Sequence, residues 1–337
     1  SSDVVISVTS SDTGEVTASP ATLTFTAADW DIAKTVTLTG ANDDLVDGSQ
    51  TSTVTLSVVD GSSDDDFDGV VDQTVSVTTT DSDVAGFTVI ESGGTTTVAE
   101  DGTTTDDFTV VLDAQPISDV VFSVVSEDGT EVTVAPATLT FTSGNWDSSQ
   151  TVTVTGVDDS LLDGSQTSTV RIAVVDESSN DSFDSLADQT VSVSTADDDT
   201  AGFTITQTGG SSSVTEGGST DLFTVVLDAQ PTSDVVITVV SSDTGEATVS
   251  NSTLTFTAAN WDTAQTITMT GVDDDLVDGT QTSTITLAVE DASSDNDFDG
   301  VADQTVSVST TDDDTAGFTI VETGGSSTVT EGGSTDL

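Results

Sequence analysis

Aliphatic residues alternate with threonine and serine through most of this chain, in runs such as "DVVITVV", "QTITMTG" and "QTVSVST". A period of two places every second side chain on one face, as a half-buried strand requires, and no helical periodicity competes with it. Across the clearest stretch the pattern predicts strands near 202–206, 222–228, 234–240, 246–249, 253–257, 265–270, 282–289 and 304–310. Turn residues separate them, including Gly209-Gly210, Gly217-Gly218 and Gly245. Strands at this rhythm, roughly 8–12 residues apart, predict an all-β sandwich. Phe203, Phe223, Phe256, Trp261 and Phe298 are its expected core anchors, since large aromatics carry much of the apolar area of such a layer.

The pattern occurs more than once. Trp30, Trp146 and Trp261 lie 116 and 115 residues apart, as do Phe87, Phe203 and Phe318. A period of that length is a whole domain, longer than the roughly 20–50 residues of a solenoid unit. The boundaries fall at "TTDSDVAGFTV", "STADDDTAGFTI" and "STTDDDTAGFTI". They predict a truncated copy at 1–83, complete copies at 84–199 and 200–314, and a first-strand stub at 315–337. The expected arrangement is a linear tandem array, with this chain a window from a longer protein. The alternative is head-to-tail strand donation, in which the stub completes a neighbour's first copy, although the run "FTVVLDAQP" would still be unsupplied.

Charge changes the picture. There are 61 acidic residues against two basic ones, Lys34 and Arg171, for a formal charge of −59. Such a chain repels nucleic acid and anionic membranes, so neither is an expected partner. High charge can signal disorder, yet the 34% hydrophobic share is patterned for strands. With no Cys there is no disulfide framework, and no apolar run reaches the roughly 20 residues that span a bilayer. With no His or Cys, nucleophilic triads have no parts and phosphate cradles have almost none. The expectation is a protein without catalytic activity.

The acidity is concentrated. "GVDDDLVDG" at 271–279 recurs as "GANDDLVDG" at 40–48 and "GVDDSLLDG" at 156–164, each time after a strand-like run. Converging carboxylates are costly to fold unless a cation or water screens them. Calcium takes six to eight oxygen ligands in irregular geometry, while zinc and copper favour His or Cys, and magnesium keeps its waters. Calcium is therefore the expected cation.

"GVDDDLVDG" after a strand, "STTDDDTAGF" at the domain end and "SVTEGG" after the first strand together resemble a Calx-beta domain. The resemblance covers nearly all of each copy and implies tandem immunoglobulin-like two-sheet sandwiches that gather calcium at one end, beside the next domain. By that resemblance the ligands of the third copy would be Glu216, Asp273, Asp274, Asp278, Asp312, Asp313 and Asp314, with Glu246 or Asp243. The second copy would use Glu100, Glu131, Asp158, Asp159, Asp163, Asp197, Asp198 and Asp199. The first would use Glu15, Asp43, Asp47, Asp81 and Asp83. Here the chain departs from the third copy, with Asn42 in place of Asp273, Ser82 inside the terminal triplet and no counterpart of Glu216. Its site is expected to be the weakest.

Diffuse screening of an acidic surface in a salty medium is the competing account. Three sites holding about three ions each would neutralise only about 18 charges, so specific sites leave part of the acidity to solubility. A second acidic loop, "DDDFDGVVD" at 64–72 and "DNDFDGVAD" at 295–303, matches the opening of an EF-hand loop but lacks its final Glu. A hairpin pinned by Phe67, Phe183 or Phe298 is the plainer reading. The resulting expectation is a calcium-stiffened stalk or filament segment of a secreted or surface prokaryotic protein, serving adhesion or matrix assembly. Its partners would be neighbouring repeats and identical chains in a filament or matrix. An adhesive module reading a glycan or protein through its loops is the alternative.

Overall fold

The structure, a computed structural model, describes residues 2–322, 324–325 and 327–333. It is all-β, with only three-residue 3-10 turns besides strands among the described residues. Two compact units emerge, one of residues 1–158 with 165–196, the other of 159–164 with 197–337.

In the second unit two sheets face each other across a core. One is ordered Phe203–Gln207, Thr220–Leu227, Gln265–Gly271, Ala247–Val249. The other is ordered Ser212–Thr215, Gln304–Thr311, Gln281–Val289, Val235–Ser241, Thr253–Phe256. All pairings are antiparallel except that of Ser212–Thr215 with Gln304–Thr311. Alternation dictates which side chains face inward. In Gln281–Val289, Ser283, Ile285 and Leu287 are buried while their neighbours are only partly covered. Phe203, Phe223, Phe256 and Phe298 are core residues and Trp261 packs at its margin. The strand Ser212–Thr215 has no counterpart among the strands expected from sequence. It is short, and only Val214 among its residues is apolar, so the pattern hides it.

The first unit holds the same two-sheet arrangement over residues 87–196, around Phe108, Phe122, Phe141 and Phe183. Here Phe122 stands between Phe87 and Phe141, with ring centroids at 4.7 and 5.9 Å. Residues 4–79 make a four-stranded sheet ordered Thr22–Phe25, Val4–Ser10, Gln50–Val58, Gln73–Thr79, and a separate pair, Val16–Ser19 with Thr37–Gly40. The core there is small, built on Val8, Val16, Leu23 and Val54. Phe67, expected as a buried pin, is 44% exposed and Trp30 is 72% exposed. Their counterparts Phe183 and Trp146 lie in the core of the 87–196 sandwich and against it.

Two of the three acidic stretches also carry an apolar plug, while Leu276 and Val277 of the third are exposed. Leu45–Val46 pairs in parallel with Gln115–Pro116, and Val46 joins the core cluster of Phe87 and Phe108. In the second unit Leu161 bridges Gln230, and Leu162 joins the cluster of Phe203 and Phe223. In both places an acidic loop is anchored by one buried aliphatic side chain.

Candidate metal centre

In the third copy the strand ends place the carboxylates. Glu216 follows Ser212–Thr215, and its N–H donates to the Thr311 carbonyl at 3.0 Å, which registers it beside the Asp312–Asp314 triplet. The Val272 N–H donates to the Glu246 carbonyl at 2.9 Å, bringing Glu246 to the start of the acidic stretch. Gly271, which opens that stretch, lies against the edge strand. A Cβ there would sit 2.1 Å from the Thr215 carbonyl oxygen, so only glycine lets the strand carrying Glu216 pass.

Carboxylate oxygens of Glu216, Asp312 and Asp314 all lie within 4.8 Å of one another. Glu216 is only 3% exposed, and neither of its carboxylate oxygens accepts a hydrogen bond; one oxygen each of Glu246 and Asp314 is likewise unpartnered. Desolvation first, then repulsion from Asp312 and Asp274, raises the Glu216 pKa; the Asp313 N–H points toward it and offsets part of this, without hydrogen-bond geometry. Glu246 is raised by desolvation and by Asp278 and Asp274. Asp314 is raised by desolvation and by Asp312 and Asp275.

Asp312 behaves in the opposite way. It accepts the Gly279 N–H at 2.7 Å and the Asp314 N–H at 2.8 Å. These bonds favour its charged form and hold its pKa below the usual carboxylate range. Gly279 has φ +75°, a left-handed conformation that glycine adopts without strain and that aims its N–H at Asp312. The sequence reading did not include these backbone donors, although Asp-Gly closes all three acidic stretches. Asp275, outside the expected ligand set, is one of the charges acting on Asp314.

Not every expected ligand is equally available. Asp274 accepts the Leu276 N–H at 2.6 Å, which commits one oxygen to a local turn. Asp159 does the same for Leu161 and Asp43 for Leu45. Asp313 and Asp273 border Gly217, with oxygens 3.2 and 3.9 Å from where its Cβ would be. Asp278 acts on Glu246 through its charge, as does Asp243.

In the first unit, Glu15, Asp43, Asp47, Asp81 and Asp83 line one small recess with Asn42 and Ser82. Asp81 accepts N–H groups of Asp47, Gly48 and Asp83 at 3.1, 2.8 and 2.7 Å, and its pKa is lowered. Glu15 is raised by desolvation and the neighbouring Asp47 and Asp43, and Asp83 by desolvation and Asp81. The carboxylates expected in the second copy divide between the units. Glu100 and Glu131 are buried in the first, with oxygens within 4.8 Å of each other. Asp158 is also there, its Cβ 3.3 Å from where a Cβ on Gly102 would lie. Asp159, Asp163, Asp197, Asp198 and Asp199 belong to the second unit. There Asp197 accepts the Gly164 and Asp199 N–H groups, both at 2.8 Å.

The EF-hand-like loop is built differently. Asp295 is buried and accepts from the Thr232 hydroxyl and Ser233 N–H, both at 2.7 Å, and from Asp297 N–H at 3.2 Å. It caps a 3-10 turn beside the buried Phe298. Asp64 likewise accepts the Asp66 N–H. Among the described residues no convergent group of three carboxylates forms at either loop.

No protein-family model matches the chain, and no curated protein sequence matches it. Solved structures show weak likeness. Domains 4–9 of the surface layer protein SbsC share 17% identity over 91% of this chain at a TM-score of 0.27, and the chain spans only 39% of that structure. The CBD12 fragment of CALX1.2 shares 12% identity over 66% of this chain and 99% of its own length, at a TM-score of 0.25. The Calx CBD1 domain in its apo form shares 18% over 34% of this chain and 98% of its own length, at 0.24. Values this low say nothing about what this chain binds.

Proposed function

We propose that this chain is a non-catalytic, calcium-stiffened structural segment of an extracellular or cell-surface protein. Its repeats would be the sandwiches at 84–199 and 200–314, flanked by partial copies at 1–83 and 315–337. Stalk or filament duty in adhesion or matrix assembly is the role this reading assigns it.

One observation carries the proposal: the buried Glu216 carboxylate, met by no donor in hydrogen-bond geometry although the Asp313 N–H points toward it, lies within 4.8 Å of Asp312 and Asp314 oxygens. Burying a charge with neither partner nor hydrogen bond is costly, and a divalent cation removes that cost while satisfying all three groups. The donor set is all oxygen, which suits calcium over transition metals. Asp312, whose charged form Gly279 and Asp314 favour and orient, supplies a fixed ligand, while Glu216 and Asp314, with raised pKa values, are the groups whose charged form a cation would favour.

Calorimetric titration with calcium, then magnesium, tests this. Extracellular calcium modules bind with dissociation constants up to about 10⁻³ M. Saturable heat from calcium in that range supports the reading, and its absence overturns it. Stiffening has its own test, small-angle scattering and melting in calcium and in chelator. An identical shape and melting temperature in both would leave no role for the ion in stiffening.

A further inference from the structure

Calcium ligation uses the carboxylates of the acidic stretches and has no use for the aliphatic pair set among them, Leu45-Val46 in "DDLVD" and Leu161-Leu162 in "DSLLD". Both pairs meet the same short sequence. "LDAQP" stands at 112–116 and at 227–231, where the strands Thr105–Leu112 and Thr220–Leu227 end. The Gln115 N–H donates to the Asp44 carbonyl at 2.7 Å, and Leu45 and Val46 pair in parallel with Gln115 and Pro116. In the second unit the Gln230 N–H donates to the Ser160 carbonyl at 2.7 Å, and the Leu162 N–H to the Gln230 carbonyl at 2.9 Å.

The corner that receives each pair is firmly built. Ala114, Pro116, Ala229 and Pro231 are buried. The glutamine side chains are spent within their own sandwich, Gln115 donating to the Ser143 carbonyl at 2.8 Å and Gln230 to that of Ala258 at 3.0 Å. The Asp113 and Asp228 N–H groups donate to the Gly86 and Gly202 carbonyls at 2.9 and 3.0 Å. Those glycines follow directly on the terminal acidic segments, 81–83 and 197–199. The terminal segment and the acidic loop therefore reach one corner, the first through the chain and the second through its aliphatic pair.

No carboxylate takes part in this docking. Its donors and acceptors are main-chain groups. Its fit comes from Val46, 8% exposed in the cluster of Phe87 and Phe108, and Leu162, 9% exposed in that of Phe203 and Phe223. Apolar and main-chain contacts of this kind do not depend on an ion.

We propose that the Asp-Ala-Gln-Pro corner is a receptor for the aliphatic pair of the preceding acidic loop, with Val46 and Leu162 as positioning residues that tie the loop's carboxylates to the sandwich carrying the corner. The pair holds the loop with or without a cation. One consequence rests on the calcium reading above: an ion that binds better to the docked loop tightens the docking by the same factor, because such coupling is reciprocal.

Residue-resolved hydrogen exchange on the whole chain tests the proposal, first in chelator and then with calcium chloride as the probe. Three forms are compared: the unaltered chain, V46L, which keeps an aliphatic group as Leu162 does, and V46S, which does not. In chelator the Gln115 N–H should be protected in the unaltered chain and in V46L, and should exchange at the unprotected rate in V46S. Amides of Gln166–Val174, in a sheet of the same sandwich, should stay protected in all three, which separates undocking from unfolding. If V46S loses that protection, L162S read at the Gln230 N–H makes the same comparison at the other loop. Calcium should slow Gln115 exchange further in the unaltered chain and V46L, and leave V46S unchanged there. Free exchange of Gln115 in the unaltered chain in chelator overturns the proposal, as does equal protection in V46S. A calcium effect at the Gly48 N–H that never reaches Gln115, or that reaches it equally in V46S, overturns the coupling. No calcium effect at any amide contradicts the calcium reading instead, and the comparison in chelator still decides the docking.

Discussion

Asp312 and Gly279 lie 33 positions apart, yet the Asp312 carboxylate accepts the Gly279 N–H at 2.7 Å. The bond recurs as Asp197 to Gly164 and as Asp81 to Gly48, each at 2.8 Å. One carboxylate of the terminal acidic segment thus clasps the glycine that closes the acidic loop, in every copy. The remaining carboxylates are then held around a fixed anion, the arrangement on which the proposed cation site rests.

Asp312→Ala should therefore do more than remove one ligand. It releases the Gly279 loop, so both calcium affinity and the chelated protein's melting temperature should fall. Asp312→Asn retains one carbonyl acceptor and should restore part of the melting temperature but little of the affinity. Calorimetry and thermal melting of both variants, in calcium and in chelator, separate the two effects.

Glu216→Gln keeps the shape and removes the charge. Calcium affinity of the third copy should drop by at least the roughly 10–100-fold that loss of an outer-shell partner costs. The chelated protein should become more stable, because the substitution relieves a buried repulsion. A loss of stability in chelator would mean that Glu216 has a structural partner instead.

Acidity should act in two directions. Glu216, Glu246 and Asp314 have raised folded-state pKa values, so protonation favours the folded form. Their contribution is full below the unfolded values, about 4, and is lost as pH rises through the folded ones. Asp312 and Asp81 are lowered, and their contribution is present above the unfolded value and lost as pH falls through the folded one. In chelator, melting temperature should therefore rise as pH drops through the folded-state range of the raised groups, then fall once the lowered groups protonate. Calcium should flatten the first limb, because it competes with those protons. A melting temperature in chelator that only declines from pH 7 downward would contradict this.

Gly271→Ala places a methyl group 2.1 Å from the Thr215 carbonyl oxygen. Backbone cannot yield cheaply there, and overpacking of this kind costs about 1–3 kcal/mol. The same change at Gly40 meets only a methyl group at 3.5 Å and should leave melting nearly unchanged. Comparing the two melting curves checks whether the edge strand is what demands glycine.

Much of the fold was legible in residues. Alternation located eight strands of the third copy to within about two residues, because one buried face forces period two on strands such as Gln281–Val289. Ser212–Thr215 escaped notice because a short edge strand buries little and needs little apolar sequence. The acidic stretches were visible as charge, but the plugs inside them were not. Nothing in "DDSLLDG" says that Leu162 joins the core of Phe203 and Phe223 while Asp159 turns to its own loop.

The sequence by itself determined the all-β class, the repeat period and the carboxylate-only chemistry, since those depend on periodicity and residue type alone. Only the tertiary structure decided which carboxylates meet. Glu216 and the Asp312–Asp314 triplet are nearly one hundred residues apart along the chain, and their meeting depends on one parallel strand pairing that local sequence does not encode. It also decided their unequal roles. Asp312 and Asp314 are the same residue type two positions apart, yet backbone N–H groups favour the charge of one while desolvation and neighbouring anions oppose the charge of the other.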